Sequence, residues 1–366
     1  MTRSSAGHVA ALTGLRGISI ALVLLAHAHL PHLGVGLYGV DVFFVLSGFL
    51  ITNVLVGLAP FGARAWRFFL GRRAARLLPT LVVTLVALAA WVLLADVERG
   101  GQCLALAATH TMDLPVGGAA DCRGPFHITW SLAAEEQFYL LWPLAVVGLS
   151  RLPARQAAAV CFSSYAGLWA VAYVVADVDP HAAGWLNFSP AGRPTALLLG
   201  AALAFLVPLR GPRPEVDEGA ARLALPVFAG GFVVTGVLLA LSHPPLQVLL
   251  GPLVAVPATL LVAVLVLVPT GFSAVLCRQR WLVWLGEISY CLYLVHVLAL
   301  HIARDMLGDD AVLTNAAGAT VALLVAWALH HAVEQPVRRR GYAWLRAREE
   351  RVETAPASVP APTLVG

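Results

Sequence analysis

Residues 9–30 read VAALTGLRGISIALVLLAHAHL, an almost unbroken apolar stretch. One α-helix needs roughly 20 such residues to cross the hydrocarbon core of a bilayer. The stretch is too long for the apolar core of a signal peptide, and it contains Arg16, His27 and His29. We therefore expect it to remain in the protein as a first membrane-spanning helix.

The composition extends this expectation to the whole chain. Of the 366 residues, 59% are hydrophobic and 12% are charged, and the mean hydropathy is +0.81. These values exclude the soluble classes. The sequence predicts an all-α polytopic membrane protein located in the cell membrane, with one transmembrane domain over residues 1–340. Residues 341–366, which end in a segment rich in Pro, Ala, Ser and Thr, are expected to form a cytoplasmic, largely disordered tail.

Polar residues, prolines and glycines divide the apolar stretches into about ten transmembrane helices. The predicted spans lie near Val9–Leu30, Val35–Val56, Leu78–Ala95, Ile128–Leu149, Ala157–Ala176, Pro194–Leu209, Leu223–Leu241, Leu246–Val268, Trp284–Ala303 and Val312–Val333.

The arginines predict the orientation, because short cytoplasmic loops retain positive charge. Placing both termini in the cytoplasm leaves four arginines outside: Arg99, Arg123, Arg193 and Arg304. The outer loops instead collect aspartates and glutamates. The sequence contains no lysine, which excludes a lysine Schiff base and a Walker-type phosphate loop.

The five cysteines show no metal-binding spacing. Cys103 and Cys122 share one polar loop on the predicted outer side, where an oxidising compartment would permit a disulfide. The sequence leaves that pairing open. Cys161, Cys277 and Cys291 are expected to be buried small apolar residues.

Ionisable residues inside spans are costly, so each one is a functional hypothesis. Arg16 and His27 are eleven residues apart, which places them on one helix face within ~20° and ~16 Å apart. The alternative interpretation is an arginine that snorkels to the interface and a histidine bonded to backbone.

Two carboxylates are predicted at a depth similar to that of His27. Asp41 enters the membrane near the start of the second span, and Glu135 lies in the outer half of the fourth span, four residues after Ser131. Asp41 either orients the imidazole of His27 or caps its own helix.

The remaining polar positions follow helical spacing. Arg72 and Arg76 share a face, where they bind phosphate or anchor the helix beside anionic lipid. Ser289, Tyr293 and His296 form a stripe that faces a polar cavity or joins helices. Glu334 is expected to pair with a cytoplasmic arginine.

Six segments, in this order along the chain, resemble the acyltransferase-3 family of integral-membrane O-acyltransferases. They are the Arg16-x10-His27 pattern, residues 39–51, residues 72–76 with the pattern Arg-Arg-x-x-Arg, Trp130–Tyr139, Ile288–His296 and Glu334-x-Pro336. The resemblance implies transfer of an acyl group, commonly acetyl, from cytoplasmic acyl-CoA to a hydroxyl. The implied acceptor is a cell-envelope glycan, a glycolipid or a secreted metabolite such as a macrolide.

The resemblance also implies roles for individual residues. The catalytic set is His27 as general base with Asp41 and Glu135 to hold or charge-balance it. Ser47, Ser131 and Ser289 leave an acyl-enzyme route open. The donor-binding set is Arg16, Arg72, Arg73 and Arg76. The structural or substrate-pocket set is Trp130, Ser131, Tyr139, Ser289, Tyr290, Tyr293, His296 and Glu334.

The expected partners are membrane lipid, the acyl-CoA donor and the hydroxylated acceptor. No permanently bound cofactor, metal or nucleic acid is expected. Family members often carry an extracytoplasmic hydrolase-like domain, and the absence of one before Gly366 predicts a stand-alone enzyme with a smaller acceptor. The competing hypothesis is a transporter or flippase for a polar lipid or sugar, which breaks such as Gly251-Pro252 would suit.

Overall fold

The structure, a computed structural model, describes residues 3–28, 33–58, 62–114, 122, 124–179, 182–209, 216–241, 250–308 and 310–354. The regular elements in these ranges are all helical. The α-helices are α1 (Arg3–His27), α2 (Gly39–Val56), α3 (Ala63–Ala95), α4 (Gly100–Ala108), α5 (Thr129–Leu149), α6 (Ala154–Val178), α7 (Ala182–Phe188), α8 (Ala196–Leu206), α9 (Glu218–Arg222), α10 (Ala224–Leu241), α11 (Leu250–Leu267), α12 (Phe272–Cys277), α13 (Arg280–Glu287), α14 (Ser289–Leu307), α15 (Ala311–Leu329) and α16 (Gln335–Thr354). A π-helical turn, His330–Glu334, joins the last two.

Among the described residues, eight helical segments are long and apolar enough to cross a membrane. They contain α1, α2, α3, α6, α10, α11, α14 and the continuous pair α15 and α16. The two other predicted spans correspond to α5, which carries Glu135 and Glu136, and to α8, which has 11 residues. At 1.5 Å per residue α8 is about 16 Å long, half the thickness of the hydrocarbon core. The all-α polytopic fold is confirmed, and the side on which the termini lie stays a prediction.

Helix α2 lies at the centre of the molecule. Phe44, Phe49 and Ile51 on this helix are completely buried. Gly48 lies against the backbone of Leu197 on α8, where a Cβ atom would overlap the carbonyl oxygen. Small residues let helix backbones approach closely in membranes, so α2 holds the short helix α8 in place. Asp41 and Ser47 therefore belong to the most enclosed of the eight described helical segments that are long and apolar enough to cross a membrane.

Other helices present apolar surface to the outside. Leu93 on α3, Val178 on α6 and Val233 on α10 are each more than 60% exposed. Apolar side chains with such exposure suit contact with lipid tails. The arrangement places α3, α6 and α10 at the periphery and the polar residues inside.

The predicted cytoplasmic tail begins as a helix. Helix α16 continues through residues 341–354, so the expectation of a largely disordered segment is wrong for that part. The helix packs on α3, with Leu345 against Gly71 and the Tyr342 ring centroid 4.6 Å from the Arg72 guanidinium carbon. This contact with α3 explains the order. Residues 355–366 lie outside the described ranges.

Cys103 and Cys122 form a disulfide in the segment between α3 and α5. Their Cα atoms are 5.5 Å apart. The pairing that the sequence left open is therefore present. Cys161, Cys277 and Cys291 are buried free thiols, as expected.

Candidate active site

A cavity lies between α1, α2, α3, α5 and α14. The predicted site residues in its wall are Arg16, Arg73, Arg76, Ser131, Glu135, Tyr139, Ser289, Tyr290 and Tyr293. The structure thus brings together residues from five helices that are as far as 277 positions apart, from Arg16 to Tyr293.

The cavity wall is positively charged. It carries three arginines against one carboxylate, Glu135. Arg16 donates to the Ser289 hydroxyl from Nε at 3.3 Å and from Nη2 at 3.1 Å. The guanidinium carbon of Arg73 lies 4.5 Å from the centroid of the Tyr139 ring. An excess of guanidinium groups around one cavity favours an anionic ligand.

Arg72 takes a different position from its neighbours. Its guanidinium lies against Phe68 and Tyr342, whereas Arg73 and Arg76 line the cavity. Consecutive helical residues point about 100° apart, and residues three apart share a face. Of the three arginines predicted to bind the donor, Arg73 and Arg76 thus face the cavity and Arg72 faces α16.

Glu135 is hydrogen-bonded through both carboxylate oxygens. Ser47 on α2 donates to Oε1 at 2.8 Å, and Tyr139 donates to Oε2 at 2.8 Å. The four-residue spacing of Glu135 and Tyr139 on α5 produces the second contact. These bonds hold the only carboxylate of the cavity wall between α2 and the arginines of α3.

Ser131 and Tyr293 join α5 to α14 beside the cavity. The Ser131 Oγ and Tyr293 OH atoms are 2.6 Å apart, and Tyr293 also donates to the Ile128 carbonyl at 3.0 Å. The ring of Tyr293 lies 5.6 Å from that of His296, centroid to centroid. Tyr293 therefore connects the cavity to a second polar group, which contains His296 and His27.

His27 and His296 are in contact. The Nε2 atom of His296 lies 3.3 Å from Nδ1 of His27, and the two rings meet edge to face at 4.8 Å. His27 Nδ1 also lies 2.9 Å from the Val23 carbonyl oxygen. The sequence analysis assigned His296 only to a stripe of pocket residues, so this partner of His27 was missed. The i, i+3 spacing of Tyr293 and His296 was the available signal.

Asp41 has a cationic partner rather than an imidazole. Its Oδ2 accepts from Arg193 Nε at 3.0 Å, and its Oδ1 has no hydrogen-bond partner in the described part of the chain. Arg193 also donates to the Leu37 carbonyl at 2.7 Å. The expectation that Asp41 orients His27 is thus replaced by a buried ion pair.

Arg193 was expected in an outer loop, yet it is 5% exposed. Its guanidinium carbon lies 4.6 Å from the Tyr38 ring centroid and 5.4 Å from that of Trp130. Trp130 packs in turn against Phe44. The signal in the sequence was a lone arginine at the start of a span, on the side with few arginines. Arg193 is buried because Asp41, at the start of α2, requires a counter-ion.

Glu334 lies in the π-helical turn, away from the cavity wall. Its Oε2 atom is 2.8 Å from His330 Nδ1 and 3.3 Å from the Cys291 sulfur. Arg338 donates to Oε1 at 3.3 Å, so the predicted pairing of Glu334 with an arginine of the C-terminal cluster is confirmed, and the cytoplasmic location of that cluster stays a prediction.

Cys291, His330 and Glu334 offer three buried atoms of metal-ligand type within 4.8 Å of one another. Within the same π-helical turn, the neighbouring His331 is exposed and contacts the Trp327 carbonyl. Hydrogen bonds and Arg338 account for both oxygens of Glu334, and an arginine on a carboxylate opposes the binding of a cation.

Tyr290, the last predicted pocket residue, joins α14 to α3. Its hydroxyl donates to the Leu77 carbonyl at 2.9 Å. This bond fixes the wall of the cavity beside Arg76.

The chain is similar to known proteins over most of its length. The model of a family described as "Acyltransferase domain" matches residues 9–331. The chain is 29% identical, over 92% of its length, to "Putative peptidoglycan O-acetyltransferase YrhL" of Bacillus subtilis (strain 168). It is 25% identical, over 93%, to "Peptidoglycan O-acetyltransferase OatA" of Listeria monocytogenes and 26% identical, over 90%, to "O-acetyltransferase OatA" of Staphylococcus aureus (strain NCTC 8325 / PS 47).

The chain spans 56% of the length of the Bacillus protein and 57% of each of the other two. No solved structure gives a significant match. The match over residues 9–331 includes every helix that lines the cavity. This chain therefore belongs to the acyltransferase-3 family and is a multi-pass membrane protein.

Proposed function

We propose that this protein transfers an acetyl group from cytoplasmic acetyl-CoA to a hydroxyl of a cell-envelope glycan, with peptidoglycan as the first acceptor to test. One observation carries the proposal: a cavity inside a membrane bundle is lined by Arg16, Arg73 and Arg76 together with hydroxyl groups and one carboxylate. The choice of acetyl as the transferred group and of a glycan as the acceptor is based on the names of the relatives.

Acetyl-CoA would bind in this cavity through its negatively charged phosphate groups. Guanidinium groups match phosphate oxygens in geometry and charge, and Arg73 and Arg76 lie together on α3. Phosphates bound there would leave the thioester free to extend along the cavity past Ser47 and Glu135. Arg16 would add positive charge on the opposite wall, where Ser289 holds it.

His27 is the proposed general base. The acceptor hydroxyl oxygen attacks the thioester carbonyl while His27 takes the hydroxyl proton, and the C–S bond then breaks to release CoA. The proton passes from His27 to the departing thiolate, so no further reactant is required. An imidazole suits this task because its pKa in water lies near neutrality.

The experiment uses the full chain in lipid nanodiscs with radiolabelled acetyl-CoA and soluble peptidoglycan fragments. We expect label on the glycan with wild-type protein, and a loss of at least 100-fold, at the lower end of typical general-base contributions, with His27→Ala. His331→Ala is the matched control, because His331 is exposed and lies against Trp327 on α15 and its neighbour His330.

Normal acetylation by a well-inserted His27→Ala protein would remove His27 from the mechanism. Translocation of a labelled glycan precursor without any acetyl transfer would instead support the transporter hypothesis. A purified chain that hydrolyses acetyl-CoA only when glycan is present would remain within the proposal, since hydrolysis and transfer use the same base.

A further inference from the structure

Backbone carbonyls beside the contact between His27 and His296 determine which nitrogen of each ring carries the proton. His296 is completely buried, and its Nδ1 atom lies 2.8 Å from the Tyr293 carbonyl and 3.2 Å from the Leu292 carbonyl. A carbonyl oxygen only accepts hydrogen bonds. Nδ1 of His296 must therefore carry a hydrogen, and in the neutral ring Nε2 holds the lone pair.

The same reasoning applies to His27. Its Nδ1 atom lies 2.9 Å from the Val23 carbonyl oxygen, again a group that only accepts. Nδ1 of His27 therefore carries the hydrogen, which it shares between Val23 and the lone pair on Nε2 of His296 at 3.3 Å. The reactive lone pair of His27 is then on Nε2. The hydrogen bonds thus run in one direction: His27 donates to His296, and His296 donates to the backbone of α14.

This arrangement differs from the carboxylate that orients histidine in a hydrolase triad. The carboxylate of a triad accepts the Nδ1 hydrogen as a charged group, whereas the acceptor for His27 is a neutral imidazole. A neutral imidazole accepts the Nδ1 hydrogen of His27 and leaves the ring able to act as a base. When His27 becomes positively charged during transfer, the same hydrogen bond becomes charge-assisted and strengthens.

We propose that His296 is a positioning residue that fixes His27 as the tautomer with an unprotonated Nε2 and stabilises the charged ring formed during acetyl transfer. The inference rests on the proposed role of His27 as general base. It assigns to α14 the function of aligning a residue of α1.

Two substitutions at His296 separate this role from simple packing. In His296→Gln the amide oxygen can replace Nε2 as an acceptor for His27, whereas His296→Leu fills a similar volume with no acceptor. We expect His296→Leu to lower kcat by about 10- to 100-fold, as loss of an orienting partner commonly does, with an unchanged KM for acetyl-CoA. His296→Gln should recover most of the loss. Equal kcat values for the two variants, at equal thermal stability, would overturn the proposal.

A second measurement is independent of activity. Nitrogen-15 NMR of protein labelled at histidine distinguishes the two neutral tautomers, and His27→Gln identifies the His27 signals. We expect the wild-type His27 to be protonated on Nδ1, and His296→Leu to show a mixture. A wild-type His27 protonated on Nε2 would overturn the inference. Full activity of His27→Ala would instead refute the proposed role of His27 as general base, while the tautomer result would still stand.

Discussion

At the scale of single residues, the ion pair between Asp41 and Arg193 is almost completely enclosed. The two side chains are 1% and 6% exposed. Removing one partner from a buried pair leaves an uncompensated charge, which commonly lowers the free energy of unfolding by about 3–5 kcal/mol. Replacing both partners with neutral side chains of similar volume commonly changes that free energy little.

We therefore expect Arg193→Met to lower the free energy of unfolding by about 3–5 kcal/mol. The double variant Arg193→Met with Asp41→Asn should recover most of this loss, because no charge then remains buried. Thermal unfolding in detergent measures both. An additive effect of the two substitutions would show that the pair does not act as a unit.

Asp113 lies in the loop after α4, outside the membrane-spanning segments, where Gln137 Nε2 donates to its Oδ1 at 2.9 Å. Burial raises the pKa of Asp113 to about 6, above the value of about 3.9 in an unfolded chain. A raised carboxyl pKa means that the folded state disfavours the charged form. The contribution of Asp113 to the stability of the folded protein is therefore greatest below pH 4, and it is lost as the pH rises through about 6.

We expect Asp113→Asn to raise the melting temperature at pH 7.5 and to have little effect at pH 4.5. The amide keeps the acceptor for Gln137 and has no charge at either pH. Melting curves of the two proteins across this range give the difference. A benefit that is the same at both pH values would contradict the assignment.

The sequence identified most cavity residues but not their partners. Arg16, Glu135 and Tyr293 were found because charges and hydroxyl groups are costly inside spans. The contact of Asp41 with Arg193 joins residues 152 positions apart, and helical periodicity contains no information about such a distance. The same limit applies to His27 and His296, which are 269 positions apart.

At the scale of elements, close backbone contact holds α2 against α8. We expect Gly48→Ala to lower stability by about 1–3 kcal/mol, the usual cost of excess volume in a packed core, because the new methyl group meets the Leu197 carbonyl. Gly167→Ala on α6 is the matched control, since a Cβ there has no heavy atom of the described residues within 4 Å. The control should be neutral or more stable, because alanine favours helix. Thermal unfolding of both variants tests the contact.

The positions of the long helices were predicted well from the apolar stretches, since a helix that crosses lipid must be apolar. Local irregularities did not. The short length of α8 and the π-helical turn at residues 330–334 depend on packing with neighbours. The choice of Arg73 over Arg72 depends on a helix rotation that a regular spacing does not specify.

At the scale of the whole molecule, the charge distribution predicts that the segment between α3 and α5 lies outside the cell and that the turn between α5 and α6 lies inside. The disulfide of Cys103 and Cys122 in the first segment supports this orientation, because disulfides persist in oxidising compartments.

Cysteines introduced at exposed positions test it. In intact cells we expect a membrane-impermeant maleimide to label Glu98→Cys and not Arg151→Cys, since both side chains are exposed and only the first is expected outside. After the cells are opened, both should react. The parent chain, whose free cysteines are buried, is the background control. Labelling of Arg151→Cys alone in intact cells would reverse the topology.

The π-helical turn at His330–Glu334 has a consequence for comparing and editing sequences in this region. Such a turn contains one residue more than an α-helical turn, and one residue corresponds to about 100° of rotation. Because the turn holds the extra residue within itself, deleting one residue here would restore a regular α-helix while Tyr342 and Leu345 keep their positions against α3. A one-residue gap in an alignment at this position therefore fits an unchanged helix face, whereas the same gap elsewhere in the helix would rotate every side chain after it by about 100°.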